Sequence, residues 1–381
     1  MNESKEAKDN VETKAPKKKK SIAKKIIIAV VCVFLAIILV VGGYFAYVFI
    51  AYHRVGDQDL EVEKADGVAA AAVVGEEYKI MSYNIGFGAY EDDFGFFMDG
   101  GDKARAWSEA RLDTNLKNIA NVLKDEGADL YLVQEVDIDS TRSYHVDERE
   151  YLKIDGMSRV FAENWDSPFL FFPLTEPHGS AQTGILTASS FDASSAKRVE
   201  LPVETGMMKI IDLDRCYSKT RIPVTKDGES AGELVLYNFH LSAYTSDGKI
   251  AEEQLELLLT DIEHEYSLGN YCIAGGDFNK DILGDSSVYF GKSDIEYTWA
   301  QPIPEGMLDK YHVTLVAPLD EENPVPSCRN ADGPYVKGQY VLTIDGFLVT
   351  DNVTVTSSTV IDTQFKYSDH NPVTMTFELG R

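Results

Sequence analysis

Twenty-seven consecutive residues, 26–52, carry no charged side chain. About 20 apolar residues suffice to cross a bilayer as a helix, and a core helix of a water-facing domain would need a polar face that this run lacks. The run is expected to be a transmembrane helix. A cleaved secretory signal is the competing reading, but its apolar region is about 7–15 residues and ends in small residues. Here Tyr44, Phe45, Tyr47, Phe49 and Tyr52 crowd the far end, as in an interfacial aromatic belt. Lys17, Lys18, Lys19, Lys20, Lys24 and Lys25 precede the span, and only His53 and Arg54 closely follow it. Positive flanks stay in the cytoplasm. The expectation is therefore a single-pass cell-membrane protein with everything after residue 52 outside.

Charge divides at the same place. Residues 1–25 hold nine lysines against four acids, leaving 27 basic and 58 acidic residues beyond, a net of −31. So acidic a domain has no global attraction for polyanions, which disfavours non-specific nucleic-acid binding but leaves room for a local phosphate pocket. Four cysteines do not make a disulfide scaffold. Cys32 lies in the span and Cys272 in an apolar strand pattern, as a buried thiol would. Cys216 and Cys328 could pair in an oxidising compartment, a point the sequence leaves open.

The layout expected is a basic tail (1–25), a transmembrane helix (26–52), a stalk (53–77) with no trusted period, and one globular domain (78–381). Within that domain, short apolar runs at 78–84, 130–133, 183–188, 208–213, 234–239, 271–274, 341–349, 353–359 and 373–377 read as strands. Leu112, Leu116, Ile119 and Leu123 recur at helical spacing before Gly127, and Ile250, Leu255, Leu258, Leu259 and Ile262 do so before Gly269. Many strands and few long helices argue for packed sheets flanked by helices, an α/β sandwich.

Polar residues interrupt or end these runs. Asn84 closes the first, and Glu135 follows the second. His240 follows 234–239, and Asp277 and Asn279 follow two glycines after 271–274. Asp345 stands inside 341–349, and Asp369 and His370 precede the last run. Singly, each has a mundane reading as a turn residue, a cap or a satisfied core histidine. Asp345 resists it, because an unpaired carboxylate among Leu342, Ile344, Phe347 and Leu348 would cost several kcal/mol. It needs a partner such as His370, whose tautomer and basicity such a pairing would fix. Together the groups suit phosphoryl transfer, which needs a hard cation on oxygen ligands, an acid to orient water, and donors facing phosphate oxygens.

The motifs Ser82-Tyr-Asn84, Gln134-Glu135-Val, Asn238-Phe-His240-Leu, Gly275-Gly-Asp277-Phe-Asn279, Ile344-Asp345-Gly-Phe and Ser368-Asp369-His370-Asn-Pro-Val occur in this order. In that set and order the chain resembles the endonuclease/exonuclease/phosphatase superfamily over about residues 78–379. The resemblance implies a four-layer α/β sandwich, two packed mixed β-sheets flanked by helices. It also implies Mg²⁺ or Mn²⁺ and in-line attack of water on phosphorus. By the same resemblance Glu135 is the principal metal ligand, with Asn84 beside it and Asp369 a further acid at the metal. Asp277 aligns or deprotonates the water, and Asn279 holds it. His240 and His370 stabilise the phosphate or protonate the leaving group, and Asp345 orients His370.

The loop after Glu135 has no match in that pattern. Its Arg142, Tyr144 and His145, and His178 further on, are candidates for contacting substrate phosphate, and segment 324–338 for a lid or specificity loop. The function expected is metal-dependent hydrolysis of phosphate esters outside the cytoplasm. A lipid headgroup, a nucleic acid and an inositol phosphate compete as substrate, and no aromatic hairpin that would insert into lipid is legible. A deoxyribonuclease-type nuclease and an inactive surface binding module are the alternatives. The sequence points to no protein partner.

Overall fold

The computed structural model describes residues 18–204, 213–243, 249–291 and 299–380. The chain divides into two units, Met1–Ala51 and Tyr52–Arg381. In the first, a helix runs over Lys18–Ala51, and its stretch Ile22–Ala51 is long and apolar enough to cross a membrane.

The second unit is built on two mixed sheets. One has the strand order Val353–Val360, Val373–Leu379, Glu77–Asn84, Leu130–Asp137, Gly179–Ser189, Ser158–Leu170, Val62–Glu63. The other runs Gln58–Leu60, Ser195–Glu200, Cys216–Lys226, Glu229–His240, Tyr271–Asp277, Asp345–Thr350, Val313–Val316, with Ala72–Val73 paired to Cys216–Lys226. Each sheet has one long parallel pair. Glu77–Asn84 lies beside Leu130–Asp137, and Glu229–His240 beside Tyr271–Asp277. Parallel neighbours need a crossover, supplied by the helices Glu109–Glu126 and Lys249–Ser267.

Both helices form where the apolar period predicts. Ser108 caps the first by accepting from the Arg111 amide, and Gly127 ends it in the left-handed region at φ 56, as helix termini favour. Leu112, Leu116, Ile119 and Leu123 pack on Met81, Tyr83, Tyr131 and Val133 of one sheet. Leu255, Leu258, Leu259 and Ile262 pack on Val235, Tyr237, Cys272 and Ala274 of the other. Between the sheets Ile80, Leu130 and Leu132 meet Leu234, Leu236, Ile273, Phe347 and Val349. The result is the four-layer α/β sandwich.

A polar clasp crosses this inter-sheet core. Gln134 Nε2 donates to Asn238 Oδ1 at 2.8 Å, and Asn238 Nδ2 donates to the Leu186 carbonyl at 3.0 Å. Both side chains are fully buried, so losing one strands its partners without water. Asn238→Ala is expected to lower stability by about 2–4 kcal/mol, two unsatisfied groups at the usual cost, read as a reduced urea midpoint at unchanged slope.

The structure departs from the sequence reading in several places. Segment 53–77, expected as a stalk, contributes the strands Gln58–Leu60, Val62–Glu63 and Ala72–Val73 to the sheets. The strand expected over 208–213 lies, but for Leu213, outside the described residues. The run 341–349 breaks: Val341–Leu342 pairs with Cys328–Arg329, while Asp345–Thr350 joins the main sheet. Cys216 and Cys328, whose pairing the sequence leaves open, are separate free thiols, buried in different apolar clusters. An aromatic hairpin is present after all: Ser158–Leu170 and Gly179–Ser189 pair antiparallel, and Phe171, Phe172 and Leu174 stand exposed at its tip.

Candidate active site

The carboxyl ends of the two parallel pairs meet. Asn84 ends one strand with Gln134 beside it in register, and His240 lies in register with Asp277. Ligands gather at the carboxyl ends of parallel strands because the chain leaves there in loops, freeing side chains and backbone groups. Asp345 begins the strand antiparallel to Tyr271–Asp277 and is in register with Asp277. His370 stands three residues ahead of Val373, which pairs with Ser82. One end of the sandwich thus collects residues from all six motifs.

Local backbone aims two of them. A bulge between Val133 and Val136 interrupts the pairing of Leu130–Asp137, and Glu135 sits in it at φ 55. Bulges re-aim side chains, and Glu135 is less buried than its neighbours on the strand. Asn279 also has a positive φ, 49; such strain persists where surroundings over-determine it. Its amide N–H donates to Asp277 Oδ1 at 2.8 Å, and its Nδ2 to the Leu241 carbonyl at 2.7 Å. The two glycines ahead of Asp277 are steric necessities. A Cβ on Gly276 would fall 2.0 Å from the Phe239 carbonyl oxygen, and one on Gly275 would strike Phe347 and Leu132.

The side chains form a continuous chain of contacts. Asn84 Nδ2 donates to Glu135 Oε1 and to Asp277 Oδ2, each at 3.1 Å. Asp277 Oδ2 lies 3.5 Å from His240 Nε2 and 3.7 Å from His370 Nε2. His370 Nδ1 is 2.8 Å from Asp345 Oδ2, which also accepts from Ser327 Oγ at 2.7 Å. Ser368 Oγ donates to the Asn84 carbonyl at 2.8 Å and lies 3.3 Å from Asp369 Oδ1.

Electrostatics follow from burial. Burial raises Asp277 to about 7, with Asp345 adding to the rise and His370 opposing it. Burial raises Asp369 to about 6, Glu135 adding and His370 and Arg329 opposing. Burial, Arg215 and His370 hold His240 well below its ordinary value, so it is neutral. Burial opposes protonation of His370, yet Asp345 above all outweighs it and holds this imidazole well above its ordinary value.

This is an environment short of positive charge. Asp277 and Asp369 resist ionisation, and Asp345 Oδ1 is buried with no hydrogen-bond partner. Asp277, Asp345 and His370 present ligand atoms within 4.8 Å of one another, a group that could hold a metal ion. That trio is not the ligand set expected from sequence, Glu135, Asn84 and Asp369. His370 is already committed to Asp345 through Nδ1 at 2.8 Å, with Asp277 3.7 Å from its Nε2. Glu135 and Asp369 carry oxygens of the kind a hard cation takes, though among the described residues the only close acid–histidine group is the trio.

The raised acids carry a stability consequence. Asp277 binds its proton more tightly folded than unfolded, so its stabilising contribution is complete below about pH 4 and lost as pH rises through about 7. Asp277→Asn is therefore expected to stabilise the cation-free protein by roughly 2–4 kcal/mol at pH 8 and hardly at all at pH 4. Thermal unfolding in chelator at both pH values measures this; equal shifts would refute it.

The remaining candidates stay outside that chain of contacts, Arg142 bordering it closely enough to be felt by His240. Arg142 is buried, forked onto Asp137 at 3.0 and 2.8 Å, with its guanidinium 3.9 Å over the Phe87 ring. His178 is buried among Trp165, Phe96 and Phe97, and burial and Arg142 push it down to about 4. Tyr144 bonds the Ala106 carbonyl and His145 pairs with Asp139; only these two reach solvent. Segment 324–338 is a wall of the site. Arg329 is buried, bonding the carbonyls of Glu91, Asn330 and Gly333, and the segment supplies Ser327 and Cys328, whose Sγ lies 3.7 Å from His370 Nε2. Sequence reasoning passed over Ser327, since nothing marks one serine in a polar loop.

The fold and this buried acid–histidine cluster define an α/β-sandwich hydrolase. The chain belongs to the Endonuclease/Exonuclease/phosphatase family, which residues 81–370 match. The enzymes of this family are phosphoesterases and nucleases that use divalent metals. An endonuclease/exonuclease/phosphatase from Beutenbergia cavernae DSM 12333 is similar at TM-score 0.53 and 18% identity, over 80% of this chain and 72% of its own. ANGEL2, a 2',3'-cyclic phosphatase, is similar at TM-score 0.52 and 14% identity, over 85% of this chain and 99% of its own. Its complex with adenosine-2',3'-vanadate gives 0.53 and 14%, over 84% and 99%. Likeness at these identities shows the fold. No curated protein sequence matches the chain.

Proposed function

We propose that this chain is a metal-dependent phosphoric ester hydrolase, anchored by its N-terminal helix with the domain outside the cytoplasm. The observation that carries the reading is the contact chain Glu135–Asn84–Asp277–His370–Asp345. A divalent cation, Mg²⁺ or Mn²⁺, held by Glu135 with Asn84 and Asp369 would neutralise phosphate charge. Asp277, fixed by the Asn279 amide, aligns a water for in-line attack and takes its proton. His370, kept protonated by Asp345, donates to a phosphate oxygen or to the leaving group. Neutral His240 supplies a second hydrogen bond on that face. The lysines ahead of the apolar span support the orientation.

The substrate class is a phosphate ester: a lipid headgroup, a nucleic acid or an inositol phosphate. Hydrolysis of bis(p-nitrophenyl) phosphate by the full-length chain with Mg²⁺ or Mn²⁺ tests the reading. Chelator-sensitive turnover lost in His370→Ala supports it. Turnover unaffected by both chelator and that substitution rejects it.

A further inference from the structure

The exposed hairpin tip takes no part in the chemistry described above. Phe171, Phe172 and Leu174 are 53%, 67% and 83% exposed. Three large apolar side chains within four residues are more than the scattered single exposures any surface carries. The tip is held rather than loose. Phe172 meets the Phe97 ring at 5.8 Å, Glu176 accepts from the Ala104 amide, and the Pro177 carbonyl accepts from Arg105 Nε. Met98, beside Phe97, is itself 52% exposed and widens the patch.

The position of this tip relative to the chain's entry point says what covers it. The apolar helix ends at Ala51, and pairing with the domain begins at Gln58. The six residues between them, fully extended, reach at most about 20 Å. They are also fastened sooner. His53 Nε2 pairs with Asp166 Oδ2 at 3.0 Å, and Arg54 Nε with Asp214 Oδ1 at 3.2 Å. Asp166 belongs to Ser158–Leu170, the strand that runs into the tip. Five residues of extended strand separate Asp166 from Phe171, about 17 Å. The chain therefore enters the domain within one strand's reach of its exposed apolar tip.

We infer that the tip 171–174 is a second membrane contact, inserted into the surface of the bilayer that the N-terminal helix crosses. This rests on the proposed reading of that helix as an anchor. Two contacts, the entry at His53 and the tip, fix the domain's tilt where one tether would leave it free to swing. Apolar side chains of this kind bury about 5–10 Å into the headgroup–acyl boundary. With a net charge of −31 beyond residue 25, electrostatic attraction to anionic lipid cannot supply the contact, so it is insensitive to salt.

The test uses the full-length chain in phosphatidylcholine vesicles, carrying Leu174→Trp or Phe172→Trp. The emission each adds over the unsubstituted chain is read against lipids brominated along the acyl chain and against aqueous iodide. The expected result is quenching of about twofold or more by bromolipid, as an interfacial depth requires, with little quenching by iodide, at low and high salt alike. Full quenching by iodide and none by bromolipid, in a chain that alkaline carbonate leaves on the vesicles, overturns the second contact and spares the anchor. A chain that carbonate strips off overturns both.

Discussion

Replacing Asp277 with Asn is expected to lower kcat/KM for a phosphodiester by about three orders of magnitude, within the 10²–10⁴ that a positioned proton acceptor contributes. The substitution keeps the side-chain shape and one acceptor, for the Asn279 amide, and turns the atom that accepts from Asn84 into a donor; the proton acceptor is lost while the strand and its packing remain. The loss should appear in kcat with KM nearly unchanged. Residues that act as one unit are strongly non-additive. If the proposed roles hold, the pair Asp277→Asn with His370→Ala is expected to be little worse than the poorer single variant, the two side chains being 3.7 Å apart. A loss under tenfold, or additive losses in the double variant, would show that Asp277 is not the acceptor.

The same substitution is expected to stabilise the cation-free protein at alkaline pH, and the two effects have one cause. Asp277 is fully buried beside Asp345 and Asn84. A buried acid resists ionisation, and an acid poised near neutrality suits proton transfer.

What the sequence disclosed depended on the physical scale of each signal. The helices were legible because a stripe of Leu112, Leu116, Ile119 and Leu123 repeats over several turns, and burial on a sheet demands that period. The inner strands were legible as apolar runs, being covered on both faces. Polar residues at their ends stand out against that background, which is why Asn84, Glu135, His240, Asp277, Asp345 and His370 are candidates in the sequence, and the structure brings them to one end of the sandwich. Ser158–Leu170 was hidden by Asn164, Asp166 and Pro168, and Cys216–Lys226 by its lysines and Pro223. The strands within 53–77 are two or three residues long, too short to show any period. Arg142 is a candidate for contacting substrate phosphate in the sequence because nothing there marks Asp137, five residues away in the same polar loop, as its partner. Only the turn Thr141–Ser143 folds the guanidinium back onto that acid. The hairpin tip escaped because Phe169-Leu-Phe-Phe-Pro-Leu174 is equally apolar whether covered or exposed.

Asp345→Asn should cost about 10²–10⁴ in kcat, the scale seen where a buried acid holds a catalytic imidazole in one tautomer and charge state. Asp345 Oδ2 accepts from His370 Nδ1 and Ser327 Oγ together, and an amide cannot replace the negative charge opposite the imidazolium. Burial then meets only the weaker opposition of Cys328 and Asp369 and pulls His370 down. The sign is testable. With Asp345 in place His370 is held well above its ordinary value, so the basic limb of the pH–rate profile lies on the alkaline side of a free imidazole's. Without it the limb must move toward acid. Ser327→Ala removes one hydrogen bond but keeps the charge, and is expected to cost about ten- to a hundredfold, the worth of a single bond to a charged group, with the limb nearly unmoved. A kcat loss in Asp345→Asn without an acid shift of that limb would mean that Asp345 merely packs the site, leaving His370 to find its proton elsewhere.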